Sequence, residues 1–232
     1  MKNLLLIVNT SWALTIIKYI SIFLSVMVVL TVHEFAHAFV AVKCGDDTPK
    51  KYGRLSLNPF VHFDIVGLIC FVVAHFGWAK PVPINAYNFR KPKRDYVLVS
   101  IAGVCVNLIM AFLMYPLCLL TYNIPNIGYL DDVIRLFCEY TYLMSLSFAV
   151  FNLIPVFPLD GFRVLEATVK HTNKIFVFLK EKGMYILLGL ILLGFIANKI
   201  PALWFLDILG IMMNFITGIL SVPIQLFWGL FF

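Results

Sequence analysis

The feature that most constrains this chain is the run over residues 12–42, apolar except for Lys18 and one cluster of ionisable side chains. As a single helix rising 1.5 Å per residue it would reach ~46 Å, well past the ~30 Å hydrocarbon core of a bilayer. Tilt, a kink or emergence at either end must absorb the excess, with Lys18 snorkelling to the nearer interface. Further apolar runs cover 96–121, 133–152, 183–197 and 203–232. In lipid every backbone N–H and C=O has to be satisfied within the protein, so such runs fold as helices. The expectation is an all-α, polytopic membrane protein with about five to six transmembrane helices, forming one domain over residues 1–232. Composition agrees, since 62% of the residues are hydrophobic and 13% charged, against roughly 25% charged in an average soluble domain.

The formal charge of +6 resides in Lys and Arg of short loops, where these residues set orientation in the membrane. Nucleic-acid binding is not implied. The five cysteines are odd in number, form no C-x-x-C pair and lie mostly within apolar runs. They read as small buried hydrophobes rather than a disulfide framework or a zinc knuckle. No small-residue cleavage site follows the apolar patch at 4–8, so no signal peptide is read.

Within the first run, residues 28–40 read VVLTVHEFAHAFV. His33, Glu34 and His37 form H-E-x-x-H, and on a helix the four-residue spacing stacks both imidazoles on one face, about one turn apart. They can hold one Zn²⁺ between them, with Glu34 beside the open coordination position. A surface helix with this spacing by chance is the bland alternative, but the flanking Val, Leu, Ala and Phe leave no surface face. Ionisable groups in such a segment mark function. Six residues separate His37 from Lys43, which places the metal on the order of 10 Å inside the basic end of the helix.

Charge sets the topology. Residues 43–58 carry four Lys or Arg and residues 80–95 carry five, so both flanks of the apolar segment 60–78 read as cytoplasmic. A segment with both ends on one side is a re-entrant loop. The alternation over 54–57 is consistent with a short β-strand or hairpin near the site. Gly103 and Asn107, one turn apart in the run 96–121, read first as helix packing with an interhelical hydrogen bond. The acidic loop 122–132 reads as external. Near the outer end of the run 133–152, Arg135 and Glu139 are spaced for an i,i+4 pair, and that run returns to the cytoplasmic face. There Pro155 and Pro158 prevent a continuous helix, so 152–159 should be unwound, with a helix resuming near Asp160 or Gly161. The basic stretch 163–182 keeps this end cytoplasmic, and Trp204 and Trp228 read as interfacial anchors.

A catalytic zinc takes three protein ligands and leaves a position for water. Asp131, Asp132 and Glu139 lie toward the outer side, and Glu166 sits on a basic, easily solvated turn. Asp207 has apolar surroundings but lies near the boundary at Lys199 and Pro201. Asp64 can reach the site if its loop re-enters, or can equally order that loop. Asp160 is favoured, because it follows the proline-broken stretch at the same membrane face as His37.

These residues resemble the site-2 proteases, intramembrane zinc metalloproteases. HEFAH at 33–37 and NLIPVFPLDG at 152–161 match the family's paired motifs in order and separation, the second having the form N-x-x-P-x-x-P-x-D-G. GWAKPVPIN at 77–85 and IAGVCVN at 101–107 extend the resemblance over roughly the first 170 residues. It implies that His33, His37 and Asp160 bind one catalytic zinc and that Glu34 is the catalytic base. Asn152 and Asn107 are candidate contacts to substrate or oxyanion, beside the alternative that each only satisfies the helices around it. The chain departs from the family pattern at Val104 and Ile65, where relatives commonly carry proline. No insertion large enough for a PDZ module separates the zinc motifs, so the chain resembles the compact branch, with a catalytic core over about 12–170 and C-terminal helices over 183–232.

The implied activity is hydrolysis of peptide bonds in or near transmembrane segments of substrate proteins, as in regulated intramembrane proteolysis. The partners are then a transmembrane protein substrate and the bilayer. A released substrate strand would be received by 54–57 and 60–78 through edge pairing. The expected location is the cell membrane of a prokaryote, with the active site toward the cytoplasm. Charge counting supports burial, since a zinc dication, one carboxylate and one hydroxide sum to zero. The rivals are a polytopic channel or transporter with a metal site and an inactive relative. A transporter calls for acidic residues spread across the midplane of several helices, whereas this chain clusters its chemistry near one face.

Overall fold

The computed structural model describes residues 2–67, 70, 77–122 and 128–232, with side chains from residue 12 onward. Its long elements are α1 (Lys2–Cys44), α3 (Pro92–Tyr122), α4 (Tyr129–Leu153), α6 (Lys174–Lys199) and α7 (Ile208–Trp228), with the shorter α2 (Thr48–Lys51) and α5 (Asp160–Thr168) between them. The fold is all-α and polytopic. Four helices among the described residues, Trp12–Cys44, Pro92–Tyr122, Tyr129–Leu153 and Ile208–Trp228, are long and apolar enough to cross a membrane. The five to six expected from sequence also counted 183–197, which lies in α6, while the segment 60–78, read as a re-entrant loop, falls partly outside the described residues.

Local chemistry explains the helix boundaries. Pro92 opens α3, and Asp95 in its first turn accepts the Lys91 N–H at 2.8 Å. Asn173 caps α6 by accepting from Ile175 and Phe176, and Asp207 caps α7 by accepting from Gly210, each satisfying donors that the first turn leaves orphaned. Helix α4 stops at Leu153 and α5 starts at Asp160, so the break at Pro155 and Pro158 falls close to where the sequence places it.

Helices α1, α3 and α4 pack mutually and form the core. Between α1 and α4 the seam is polar. Ser21 and Ser25 donate to the carbonyls of Val133 and Phe137, and Thr141 donates to Ser25 at 3.0 Å. Successive partners advance together along both helices, so α1 and α4 run parallel and the end of α4 lies level with the last turn of α1, just beyond the histidines. Helix α7 closes the far side through Ile224, which packs with Ala111, Cys118, Cys138, Tyr142 and Leu146. Trp228 donates its indole N–H to the Phe112 carbonyl at 2.9 Å, so its polar tip is used within the bundle. Near the start of α4, Arg135 pairs with Asp132, not with Glu139.

One sequence expectation needs revision here. Residues 54–57 form no strand, and the described residues contain only an isolated antiparallel bridge, Phe63 with Ala79. The reason lies in the side chains. Buried Arg54 donates to the carbonyls of Val61 and Pro81, and the His62 ring bonds the Ser56 carbonyl at 2.8 Å. These carbonyls are thereby committed to side-chain donors rather than to a β-ladder. The ends of 60–78 do meet, through the Phe63–Ala79 bridge and the Lys80 N–H donated to the His62 carbonyl at 2.8 Å.

Candidate metal centre

One end of the bundle gathers the chemistry. The H-E-x-x-H residues lie on the last three turns of α1, where helical spacing brings the His33 and His37 rings to 4.7 Å between centroids, nearly perpendicular at 79°. Asp160 arrives from 123 residues further along the chain, at the first turn of α5. Gly161 makes that approach feasible, because a Cβ there would fall 2.3 Å from the Leu153 carbonyl oxygen and would push α5 off the end of α4.

Three ligand atoms converge. His33 Nε2 and His37 Nε2 are 3.1 Å apart, and Asp160 Oδ2 lies 3.1 and 3.0 Å from them. All three side chains are buried. The His37 Nδ1 lies 2.7 Å from the Val99 carbonyl. A carbonyl can only accept, so Nδ1 carries the proton and neutral His37 presents a lone pair at Nε2. That lone pair faces carboxylate oxygen Asp160 Oδ2. A single proton could satisfy one such contact, whereas a cation satisfies all three. Ligand distances of about 2.0–2.2 Å in a tetrahedral zinc site place donor atoms about 3.3–3.6 Å apart, so the 3.0–3.1 Å triangle needs to open by only a few tenths of an ångström, roughly 0.2–0.6 Å, to take the ion. The donor set, two imidazoles and one carboxylate, therefore fits a zinc ion with a position left open.

Glu34 is half-buried and does not join the triangle. Its Oε2 accepts the Val82 N–H at 3.1 Å, so the loop after residue 77 holds it. That loop is itself tied to the end of α1. Arg90 donates its N–H to the Cys44 carbonyl at 3.1 Å, and buried Asp46 accepts from the Asn85 N–H at 2.7 Å, the Asn88 side-chain amide at 2.8 Å and the Thr48 hydroxyl. Burial pushes the Asp46 carboxyl up, but these bonds outweigh it and hold the carboxyl below its ordinary value.

On α3, Gly103 and Asn107 lie against the histidine pair. A Cβ at Gly103 would come within 2.5 Å of His33 Cε1 and 2.6 Å of both Nε2 atoms, and the Asn107 Nδ2 is 3.1 Å from His33 Nδ1. The packing role read from sequence is real, but the partner of the interhelical bond is a candidate ligand. Asn152 is half-buried and donates to the Phe148 carbonyl of its own helix at 3.0 Å. The other carboxylates weighed as ligands have different partners. Asp64 accepts from the Gly67 N–H, Asp207 caps α7, and Glu166 receives bonds from Tyr96 and Lys180.

Three contributors are absent from the sequence reading: the Val82 N–H, the Val99 carbonyl and Arg163, whose guanidinium stands 3.6 Å from Asp160 Oδ1. The two backbone groups carry no residue signature. Arg163 had one, because its i,i+3 spacing from Asp160 places both on one face of α5.

The comparisons with known proteins point the same way. The profile described as Peptidase family M50 matches residues 123–196. The chain is 44% identical over 160 residues to "Putative zinc metalloprotease YwhC" of Bacillus subtilis, covering 68% of this chain and 72% of that one. It is 26% identical over 227 residues to "Putative zinc metalloprotease Rip2" of Mycolicibacterium smegmatis, covering 93% and 85%. The protein of the same name from Mycobacterium tuberculosis H37Rv is 30% identical over 173 residues, covering 72% and 64%. No solved structure matches the chain.

Proposed function

The chain belongs to peptidase family M50, the site-2 protease family, and on that premise we propose that it is a zinc metalloendopeptidase cutting transmembrane substrates within or next to the bilayer. The observation that carries the reading is the triangle of His33 Nε2, His37 Nε2 and Asp160 Oδ2 at 3.0–3.1 Å, with the Glu34 carboxylate alongside and outside it. A zinc ion held there supplies Lewis acidity, lowering the pKa of a water molecule toward 7 and polarising a peptide carbonyl. Glu34 takes the proton from the attacking water and returns it to the leaving amine. The Val82 N–H keeps the carboxylate aimed, and His37 holds its proton on Nδ1 so that Nε2 stays free. Asn152, at the end of α4, is the candidate contact to substrate backbone or oxyanion.

The site is buried at the end of the bundle to which 43–58 and 80–95 also belong, since Asp46 bonds Asn85 and Asn88. Those loops are basic, which favours the cytoplasmic side of a cell membrane and re-entrance of 60–78. The whole chain works as one membrane-embedded protease domain.

Purified protein should cleave single-pass membrane proteins from the same source, and a chelator should stop it. Glu34→Gln should abolish cleavage while bound zinc stays stoichiometric, whereas His33→Ala, His37→Ala and Asp160→Ala should lose both. Substantial proteolysis by Glu34→Gln would refute the base assignment. Full zinc in Asp160→Ala would move the third ligand elsewhere.

A further inference from the structure

His37 owes its free Nε2 to the Val99 carbonyl, but His33 has no such carbonyl. Its Nδ1 faces the side-chain amide of Asn107, with Nδ2 at 3.1 Å, while Asn107 Oδ1 is buried without a hydrogen-bond partner. Asn107 is fully buried. In this orientation Nδ2 donates to Nδ1, which leaves the proton of neutral His33 on Nε2, inside the triangle, where it blocks ligation. The nitrogen and oxygen of an amide are nearly isosteric, and hydrogen bonding alone decides which is which. Turning the amide through 180° brings the orphan Oδ1 against Nδ1, where it accepts the Nδ1–H and returns the Nε2 lone pair to the triangle.

We propose that Asn107 is a positioning residue, whose Oδ1 accepts the Nδ1–H of His33 and so holds His33 in the tautomer that ligates metal through Nε2. The inference rests on the metal-site reading above and gives Asn107 a role other than contact with substrate. The residue meets the ring at Nδ1, while the triangle is built on Nε2. Gly103, one turn earlier on α3, serves the same arrangement. Without a Cβ there, α3 lies close enough for a side chain as short as Asn to reach the imidazole. Metal-bound imidazoles generally donate their second N–H to a carboxylate or carbonyl oxygen, and loss of that acceptor weakens metal affinity roughly 10–100-fold.

The test compares zinc dissociation constants, from competition with a chromophoric chelator, for the full chain in detergent and for Asn107→Asp and Asn107→Leu. Asn107→Asp keeps an acceptor and should bind zinc much as the unsubstituted protein does. Asn107→Leu should bind roughly 10–100-fold more weakly. Equal affinity of Asn107→Leu and the unsubstituted protein would overturn the proposal, as would an equal loss in both variants. Because a buried substitution can impair folding, the unsubstituted zinc-loaded protein is also labelled with ¹⁵N at histidine and read by NMR. A proton on His33 Nδ1 supports the assignment, and an unprotonated Nδ1 refutes it. If the unsubstituted protein binds no zinc, the metal reading fails and this inference falls with it. If zinc binds and no proteolysis is found, the tautomer assignment is still decided by the same two measurements.

Discussion

Gly103 illustrates how little room the candidate metal centre leaves at the scale of single residues. Its Cα faces both candidate ligand nitrogens, and an added methyl would stand 2.5–2.6 Å from the two rings. Those rings cannot yield easily, since His37 is tethered to Val99 and both are buried. Overpacking of this kind costs about 1–3 kcal/mol. If the strain is relieved when the rings swing out of the ligating geometry, it falls on metal binding. Gly103→Ala should therefore weaken zinc affinity roughly 5- to 150-fold, measured by chelator competition, while the helical content is unchanged. Unaltered affinity would show that α3 can shift away from α1 without cost. Gly161→Ala meets backbone oxygen rather than side chain, so it should displace all of α5.

Among the elements, the loop after residue 77 matters most for Glu34, the proposed base. Its grip on α1 passes through Asp46, whose two oxygens hold Asn85, Asn88 and Thr48, and the same loop supplies the Val82 N–H to Glu34. A hydrogen bond to a charged acceptor contributes about 1.5–3 kcal/mol. Asp46→Ala should thus lower hydrogen-exchange protection of the Asn85 amide at least about tenfold and reduce turnover while leaving zinc content intact. The folded value of this carboxyl is depressed, so its contribution is complete above the ordinary aspartate value near 4. It should fade as pH falls through the lowered folded value. Protection of Asn85, corrected for intrinsic exchange, should follow that course in the unsubstituted protein and be flat in Asp46→Ala. A pH-independent difference would assign the clamp to the neighbouring backbone bonds instead.

For the whole molecule, orientation and access decide what can be cut. Tyr52 and Tyr87 are 71% and 98% exposed at the site's end, and Leu130 is 69% exposed at the start of α4. Cysteines replacing Tyr52 and Tyr87 should react with an impermeant thiol reagent only from the cytoplasm, and one replacing Leu130 only from outside. Labelling of the first two from opposite faces would turn 60–78 into a crossing. A substrate helix locks its scissile amide in i to i−4 hydrogen bonds, so the peptide must unwind before water can attack. Cleavage should depend on Gly, Pro or Asn near the cytoplasmic end of the substrate helix. Replacing them by Leu and Ala at constant length should suppress it, as read by mass spectrometry of the products. Unchanged cutting, or a cut in a soluble loop, would overturn the intramembrane reading.

What could be read from the sequence alone was whatever depends on near neighbours in the chain. The all-α polytopic fold follows from run length and apolarity, the pairing of His33 with His37 from helical spacing, and the end of α4 from two prolines. The candidate site was legible as far as residue types in a motif could carry it, including Asp160 as the favoured carboxylate. Packing decided the rest. Asp160 lies 123 residues from His37, and no local rule brings them to 3.0 Å. Gly103 and Asn107 announced only a helix contact until α3 was seen against the histidines. Val82 and Val99 act through backbone atoms, which every residue possesses and no sequence distinguishes. The strand expected at 54–57 is absent because the Arg54 and His62 side chains claim the nearby carbonyls, a competition settled only in three dimensions.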